Sequence, residues 1–310
     1  MIKFLKNGKG LMPCEKWESN CWVNIVTPDA SDKDFVVNTL GAPEAFYDDI
    51  EDVDERPRIE VEDGWCFVLM RIPYKDSSAV ASAPFSTVPL GIIFKDDVFI
   101  SVCFYDNDMI PDFEQYTRRK DIVHEDNVNF TFRLLLSASV WFLKYLKQIN
   151  IQTKVAERHL ADSVRNEELQ HLLRLEKSLL FFNTSLRGND IVVHRLKNLR
   201  GIKDQYDPEL VEDVEIESKQ ALETTNIYSD ILESTKETYT SVISNNLNSV
   251  MKRLTTINVV LMMPTLIASF FGMNLERGTT IFNWTFASVA CISLLITVGT
   301  ALIFVRTHWF

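Results

Sequence analysis

The chain has 310 residues, with 32 Lys and Arg against 43 Asp and Glu, a formal net charge of −11. That balance argues against a nucleic-acid-binding surface, which needs a basic patch. Residues 254–275 and 278–305 carry no formal charge, and each stretch exceeds the roughly 20 helical residues that cross about 30 Å of hydrocarbon, which excludes a wholly soluble protein.

The N-terminus, MIKFLKNGK, lacks the apolar core of a signal peptide, so residues before 250 are expected to stay in the cytoplasm. The cysteines at 14, 21, 66, 103 and 291 are odd in number and show no CxxC spacing. They read as buried thiols of a reducing compartment, not as a disulfide framework or zinc site. Residues 20–125 predict a mixed α/β region. The segment 66–72 (CFVLMRI) is a strand, and 88–94 and 98–104 are two apolar runs joined by Lys95-Asp96-Asp97, a hairpin signal. The Pro and Ser cluster at 77–86 predicts a loop, and 31–55 predicts helical or irregular acidic material.

Strand signals end after Asn127. From 128 to 163 the apolar residues Phe130, Leu134, Ala138, Val140, Phe142, Tyr145, Leu146 and Ile149 recur at helical spacing. The run 134–146, interrupted by Lys144 and flanked by Arg133 and Lys147, is too short for a membrane and predicts a buried helix. A second helix is expected from about Asn166 to Leu199, with Gly188 as an undecided kink, then a turn at 200–206. Asp207-Pro208 reads as an N-cap followed by proline at the first helical position. No breaker follows until Pro264, so one helix from 208 to about 273 would extend roughly 100 Å and needs partner helices. The predicted segments are 1–125, 126–206, a stalk at 207–253, spans at 254–274 and 284–305, a loop at 275–283 and a tail at 306–310.

Lys252 and Arg253 precede the first span and Arg306 follows the second, which places both termini inside and the hairpin loop outside. Within the first span, Asn248, Met251, Thr255, Asn258, Met262, Thr265 and Ser269 form a polar and Met stripe. A helix–helix contact and a pore wall both explain such a stripe. Two acidic clusters stand out, six acids within 48–55 and six within 207–217. They are solvated faces, or carboxylates held together by a hard cation between neighbouring copies. The five His form no HExxH-like ligand set, and no phosphate-binding glycine loop is present. Neither an enzyme nor an organic cofactor is expected; His159, His171 and His194 read as surface residues.

The first span closes with Phe270-Phe271-Gly272-Met273-Asn274-Leu275-Glu276. Gly-Met-Asn at the end of the penultimate span resembles the CorA family of magnesium transporters. The NSVMKRLT stretch at 248–255, CWVNI at 21–25, and Asp48-Asp49-Ile50 followed by Arg56-Pro57-Arg58 are similar to the same family. The resemblance implies an α/β cytoplasmic domain, a mixed sheet between helices, followed by long α-helices and two C-terminal transmembrane helices. It further implies a homopentameric funnel in the lipid bilayer of the cell inner membrane. Gly272, Met273 and Asn274 would form the selectivity filter, whose neutral acceptors suit a hydrated Mg²⁺ ion; Asn274 also fits a helix C-cap. Asn248, Met251, Leu254, Asn258, Met262 and Thr265 would line the pore, with Met251, Leu254 and Met262 as constrictions. Glu276, the one acid of the external loop, sits beside Arg277, so attraction of cations there should be weak. The tail, Arg306-Thr307-His308-Trp309-Phe310, departs from the lysine-rich ends common in the family. Asp49 and Asp213 would hold a regulatory Mg²⁺ whose loss opens the pore. Co²⁺ or Ni²⁺ are possible secondary ions. A zinc transporter of the ZntB branch and a non-conducting membrane-anchored helical scaffold are the alternatives.

Overall fold

The computed structural model describes all residues except 77, 79–81, 163–165, 200–204, 273–285 and 307–310. The described chain forms two compact units, Met1–Lys236 and Glu237–Phe310.

The first unit is built on a seven-stranded sheet. Its strands are β1 (Ile2–Gly8), β2 (Gly10–Cys14), β3 (Trp22–Val26), β4 (Arg58–Glu62), β5 (Trp65–Lys75), β6 (Phe85–Lys95) and β7 (Val98–Cys103). They lie in the order β2-β1-β3-β7-β6-β5-β4, antiparallel throughout except for the parallel pair β3 and β7. Successive side chains of a strand point to opposite faces. On β5, Cys66, Val68, Met70 and Ile72 therefore enter one core while Phe67 and Leu69 enter the other. Both faces are covered, which is why β5 and β6 read as unbroken apolar runs.

One face is covered by α1 (Ala30–Asp34), which continues into a π-helical turn at Phe35–Thr39, and by α2 (Glu44–Glu51). Phe46, Tyr47 and Ile50 of α2 sit on Phe67, Ile93 and Val102, with Phe46 stacked on Phe67 at 4.7 Å. Asp29 caps α1 by accepting from the backbone N–H groups of Ser31 and Asp32. The other face is covered by α3 (Met109–Lys120), α4 (Asn127–Asp162), α5 (Asn166–Lys197) and the first turns of α6 (Pro208–Gly272). Trp22 is fully buried here, in edge contact with Phe113 of α3 and Phe130 of α4, and its indole N–H donates to Ser101. Segments 1–125 and 126–206 thus share one core.

Several local details differ from the sequence expectations. The expected strand at 66–72 runs from Trp65 to Lys75, and β6 begins at Phe85, inside the expected loop. The hairpin turn at 95–98 is present, with Lys95 opposite Val98. The strands β1, β2 and β4 and the helix α3 carried no recognised signal. Gly10, in the turn between β1 and β2, has φ +69°, and a Cβ there would lie 2.6 Å from Arg118 Cα, so only glycine fits against α3. Val140 lies 37% exposed instead of on the buried stripe of α4. The turn expected at 200–206 falls largely outside the described residues.

The helix α5 passes through Arg187-Gly188-Asn189-Asp190 without ending. A Cβ on Gly188 would stand 2.6 Å from Pro57 Cγ, so the glycine permits close approach to the segment before β4. Next to it, the Asn189 carboxamide accepts from the Arg71 N–H at 2.8 Å and donates to the Arg71 carbonyl at 2.7 Å. The ladder between β4 and β5 stops at Leu69, so Asn189 satisfies backbone that the shorter β4 leaves unpaired.

At the start of α6, Asp207 accepts from the Glu209 N–H at 3.0 Å and Pro208 takes the first helical position. The helix has 65 residues and contains Pro264 without ending there. It includes a stretch long and apolar enough to cross a membrane. The second unit holds the C-terminal part of α6 and α7 (Phe286–Arg306), 21 residues in which Arg306 is the sole formal charge.

Candidate functional site

The candidate pathway lies on α6. Along its C-terminal part, Thr256 is buried, and Val259, Val260, Met263, Pro264 and Ile267 are half-buried. These positions recur at three- and four-residue steps and mark one covered side. Asn248, Met251, Leu254, Asn258, Met262 and Thr265 all lie on the exposed side. Met251, Leu254 and Met262 are 55%, 52% and 66% exposed. Leu261, Leu266 and Phe270 are exposed as well, so the exposed arc is wider than the stripe. Only the stripe brings polar side chains to it. The Thr265 hydroxyl donates to the Leu261 carbonyl at 3.1 Å, which leaves its oxygen lone pairs facing outward. Met262, Thr265, Leu266, Ser269 and Phe270 border a groove of about 450 Å³. Gly272 is the last residue of α6; Met273, Asn274 and Glu276 lie outside the described residues.

The acidic clusters behave differently from each other. In the first, three of the six acids, Asp48, Asp49 and Glu55, pair with a nearby cation. Lys33 bonds Asp48 at 2.7 Å and Glu44 at 2.9 Å. The Arg58 guanidinium, at the first residue of β4, donates to Asp49 at 2.5 Å, to Glu60 at 2.6 Å and to Glu55. The same guanidinium lies 5.7 Å from the Phe67 ring centroid. Arg71 donates to the carbonyls of Val53 and Glu55, closing the chain that leaves α2. Acids at a helix C-terminus oppose the helix dipole, and these cations offset that. Burial pushes the Asp49 carboxyl above the usual carboxylate range, and Arg58 pulls it back. Arg58 bonds Oδ2 of Asp49, and the other oxygen, Oδ1, makes no hydrogen bond among the described residues.

In the second cluster, Val211, Val214, Ser218 and Ala221 face inward and fix the outward face of α6. Asp213 is exposed on that face and, among the described residues, has no ion pair. Glu215 is held by Lys197 at 2.6 Å, with His194 at 3.9 Å. Among the described residues, no group of three or more His, Cys, Asp or Glu converges as a metal site within one chain. Asp49 and Asp213 therefore stand in different surroundings, the first clamped and the second free. Arg58 is the site neighbour that the sequence pattern does not reveal, since its nine-residue separation from Asp49 gives no local signal.

The histidines also divide. His159 and His194 are exposed and lie beside Glu168 and Asp190. His171 is half-buried instead of fully on the surface, and burial lowers its pKa. His124 is buried against Phe99 and Phe130, with its pKa lowered by burial. The thiols of Cys21, Cys66 and Cys103 are free and buried, whereas Cys14 is half-buried and Cys291 exposed, so the expectation of buried thiols holds for three of the five. Burial pushes Cys66 and Cys103 up to about 12, which leaves them unreactive.

Comparison with known proteins places this geometry. The family described as CorA-like Mg²⁺ transporter protein matches residues 17–306. The cobalt/magnesium transport protein CorA of Thermotoga maritima is 23% identical over 307 residues, covering 97% of this chain and 86% of that protein. The complete structure of the CorA magnesium transporter from Methanocaldococcus jannaschii covers 100% of this chain and 99% of its own, with a TM-score of 0.83 and 20% identity. The ZntB cytoplasmic domain from Vibrio parahaemolyticus covers 80% of this chain and 98% of its own, with a TM-score of 0.60 and 13% identity.

Proposed function

The chain belongs to the CorA-like Mg²⁺ transporter protein family, and from that premise we propose that it is a channel passing Mg²⁺ across the cell inner membrane. The observation that carries the proposal is the exposed side of α6, where polar groups and Met follow one line through an otherwise aliphatic helix. In lipid such groups need protein or water opposite them. A ring of identical helices around water supplies both, and a homopentamer is the assembly proposed. The spans would be the C-terminal part of α6 and α7, with both termini in the cytoplasm, since Lys252, Arg253 and Arg306 flank them on that side.

In this reading Gly272, Met273 and Asn274 form the outer filter. Mg²⁺ gives up its water reluctantly. Five Asn274 carboxamides would accept hydrogen bonds from the ion's hydration shell and release it again. Met251, Leu254 and Met262 would narrow the lumen and gate it by dewetting. Glu276 would stand at the mouth. A regulatory Mg²⁺ would sit between copies, with Asp213 of one protomer and Asp49 of the next as ligands. Both supply hard carboxylate oxygens that fit the ion. Loss of the ion would favour the conducting arrangement.

Zinc transport is the second reading, because the ZntB cytoplasmic domain shares this fold. Met273 in the middle of the tripeptide favours magnesium. The test is flux into vesicles containing the purified full chain and a Mg²⁺-sensitive dye. Mg²⁺ entry that Zn²⁺ does not replace, and that Asn274→Ala abolishes without loss of assembly, is expected. Full flux in the alanine variant overturns the filter, and entry of Zn²⁺ alone overturns the choice of ion.

A further inference from the structure

A second binding site is built between α3 and α4, on the sheet-domain unit. The two helices border a cavity of about 380 Å³, within the usual size range of small-molecule sites. Its floor is Phe113, fully packed in the core, and its rim carries Tyr116 and Val140, 42% and 37% exposed. Trp141 forms part of the wall, with the Lys144 ammonium 4.0 Å from its ring centroid.

The charges around the cavity are unlike those of the rest of the chain. Arg119, Arg133 and Lys144 line it, against the single acid Asp112, in a protein whose net charge is −11. Asp112 is already engaged. It accepts from the Trp141 indole N–H at 2.9 Å and from Lys144 at 2.6 Å, with Arg119 at 3.7 Å. Arg133 is half-buried and, among the described residues, has neither a hydrogen bond nor an ion pair. A guanidinium presents five fixed donors that match carboxylate or phosphate oxygens. Partly withdrawn from water, it is the cation of this wall that, among the described residues, has no ion pair.

We propose that this cavity binds a small anion with a planar apolar body, the chemistry of a nucleoside monophosphate. The anionic group would pair with Arg133 and draw on the field of Arg119. The planar body would lie along Tyr116, Val140 and Trp141, where it removes exposed aromatic and aliphatic surface from water. The surplus of positive charge selects against cations, so this site is separate in kind from any Mg²⁺ site, and its test is independent of the channel reading.

The experiment is calorimetric titration of the purified full-length protein with AMP, adenosine and inorganic phosphate in turn. Saturable binding of AMP near one per chain, tighter than either fragment, is expected. Arg133→Gln should weaken it by roughly tenfold to a hundredfold, the range for a lost hydrogen bond to a charged group, while Arg133→Lys should retain part of the affinity. Ser137→Trp, which places bulk in the cavity from α4, should abolish binding with an unchanged melting curve. AMP binding no tighter than phosphate, or unaltered in both Arg133→Gln and Ser137→Trp, overturns the assignment. So does the absence of binding by all three compounds.

Discussion

Arg58 is the residue whose removal separates a fixed counter-ion from an exchangeable one. Its side chain is 21% exposed and bonds three carboxylates, those of Asp49, Glu55 and Glu60. An exposed ion pair contributes about 0–1 kcal/mol. With this much burial and the Phe67 ring beneath, the three together should contribute about 2 kcal/mol. Arg58→Gln removes the charge and leaves the acids facing one another. In EDTA, the variant should unfold about 4–8 °C below the wild type, taking roughly 2–4 °C per kcal/mol for a unit of this size. Millimolar Mg²⁺ should then restore much of the loss, because the freed carboxylates now bind the ion. A ligand at a hundredfold excess over its Kd contributes about 2.7 kcal/mol to the state that binds it. The assay is thermal unfolding of the detergent-solubilised full chain, followed by near-UV circular dichroism, with and without Mg²⁺. An equal Mg²⁺ response in variant and wild type would refute the reasoning. Arg58 would then be a structural clamp whose removal frees no additional ligand for the ion.

Replacing both acids, Asp49→Asn with Asp213→Lys, substitutes a fixed ammonium for the ion; protease resistance of the first unit should then no longer depend on Mg²⁺, and full retention of that dependence would contradict the regulatory site. Gly188→Ala forces a Cβ to within 2.6 Å of the rigid Pro57 ring, and chemical unfolding should show a loss of about 1–3 kcal/mol. Gly91→Ala on β6 should cost a similar amount, since its Cβ would stand 2.1 Å from Ile50 Cδ1 and push α2 off the sheet. His124 has a folded pKa below its ordinary 6.5 because it is buried. The unfolded chain therefore takes up the proton first, and stability should fall as pH drops below about 6.5. His124→Gln should flatten that part of a denaturation-versus-pH curve, to which His171 contributes with the same sign.

The elements that were legible in the sequence are those whose signal is local. The strands β5, β6 and β7 are buried on both faces and show as apolar runs. The start of α6 was visible because a cap is a matter of adjacent residues, Asp207 and Pro208. The edge strand β4 was invisible because RIEVE alternates apolar residues with charges that point to solvent or to Arg58. The hairpin of β1 and β2 hid in the same way behind Lys3, Lys6 and Lys9, and α3 behind the basic run Arg118-Arg119-Lys120. At the candidate site, helical spacing revealed the stripe from Asn248 to Thr265. The clamp of Arg58 on Asp49 escaped because it joins two elements, and side-chain partners across such a distance leave no periodicity. The proposed role of the stripe as a lumen wall would be a property of several chains, which no single-chain pattern contains.

The parallel pairing of β3 with β7 also bears on how the sheet is assembled. Trp22 lies opposite Phe99, so this one ladder closes a loop of about 75 residues and must wait for it. The antiparallel meander β4–β7, by contrast, pairs strands that are neighbours in sequence, with two-residue connections between β4 and β5 and between β6 and β7, and can zip locally. During synthesis β3 emerges well before β7, so its Trp22, Val23 and Ile25, buried in the finished fold, stay on a bare edge until β7 arrives. An unpaired apolar edge is where chains join one another wrongly. Substitutions that slow the docking of Trp22 should therefore lower the yield of membrane-inserted protein more than they lower the stability of molecules already folded.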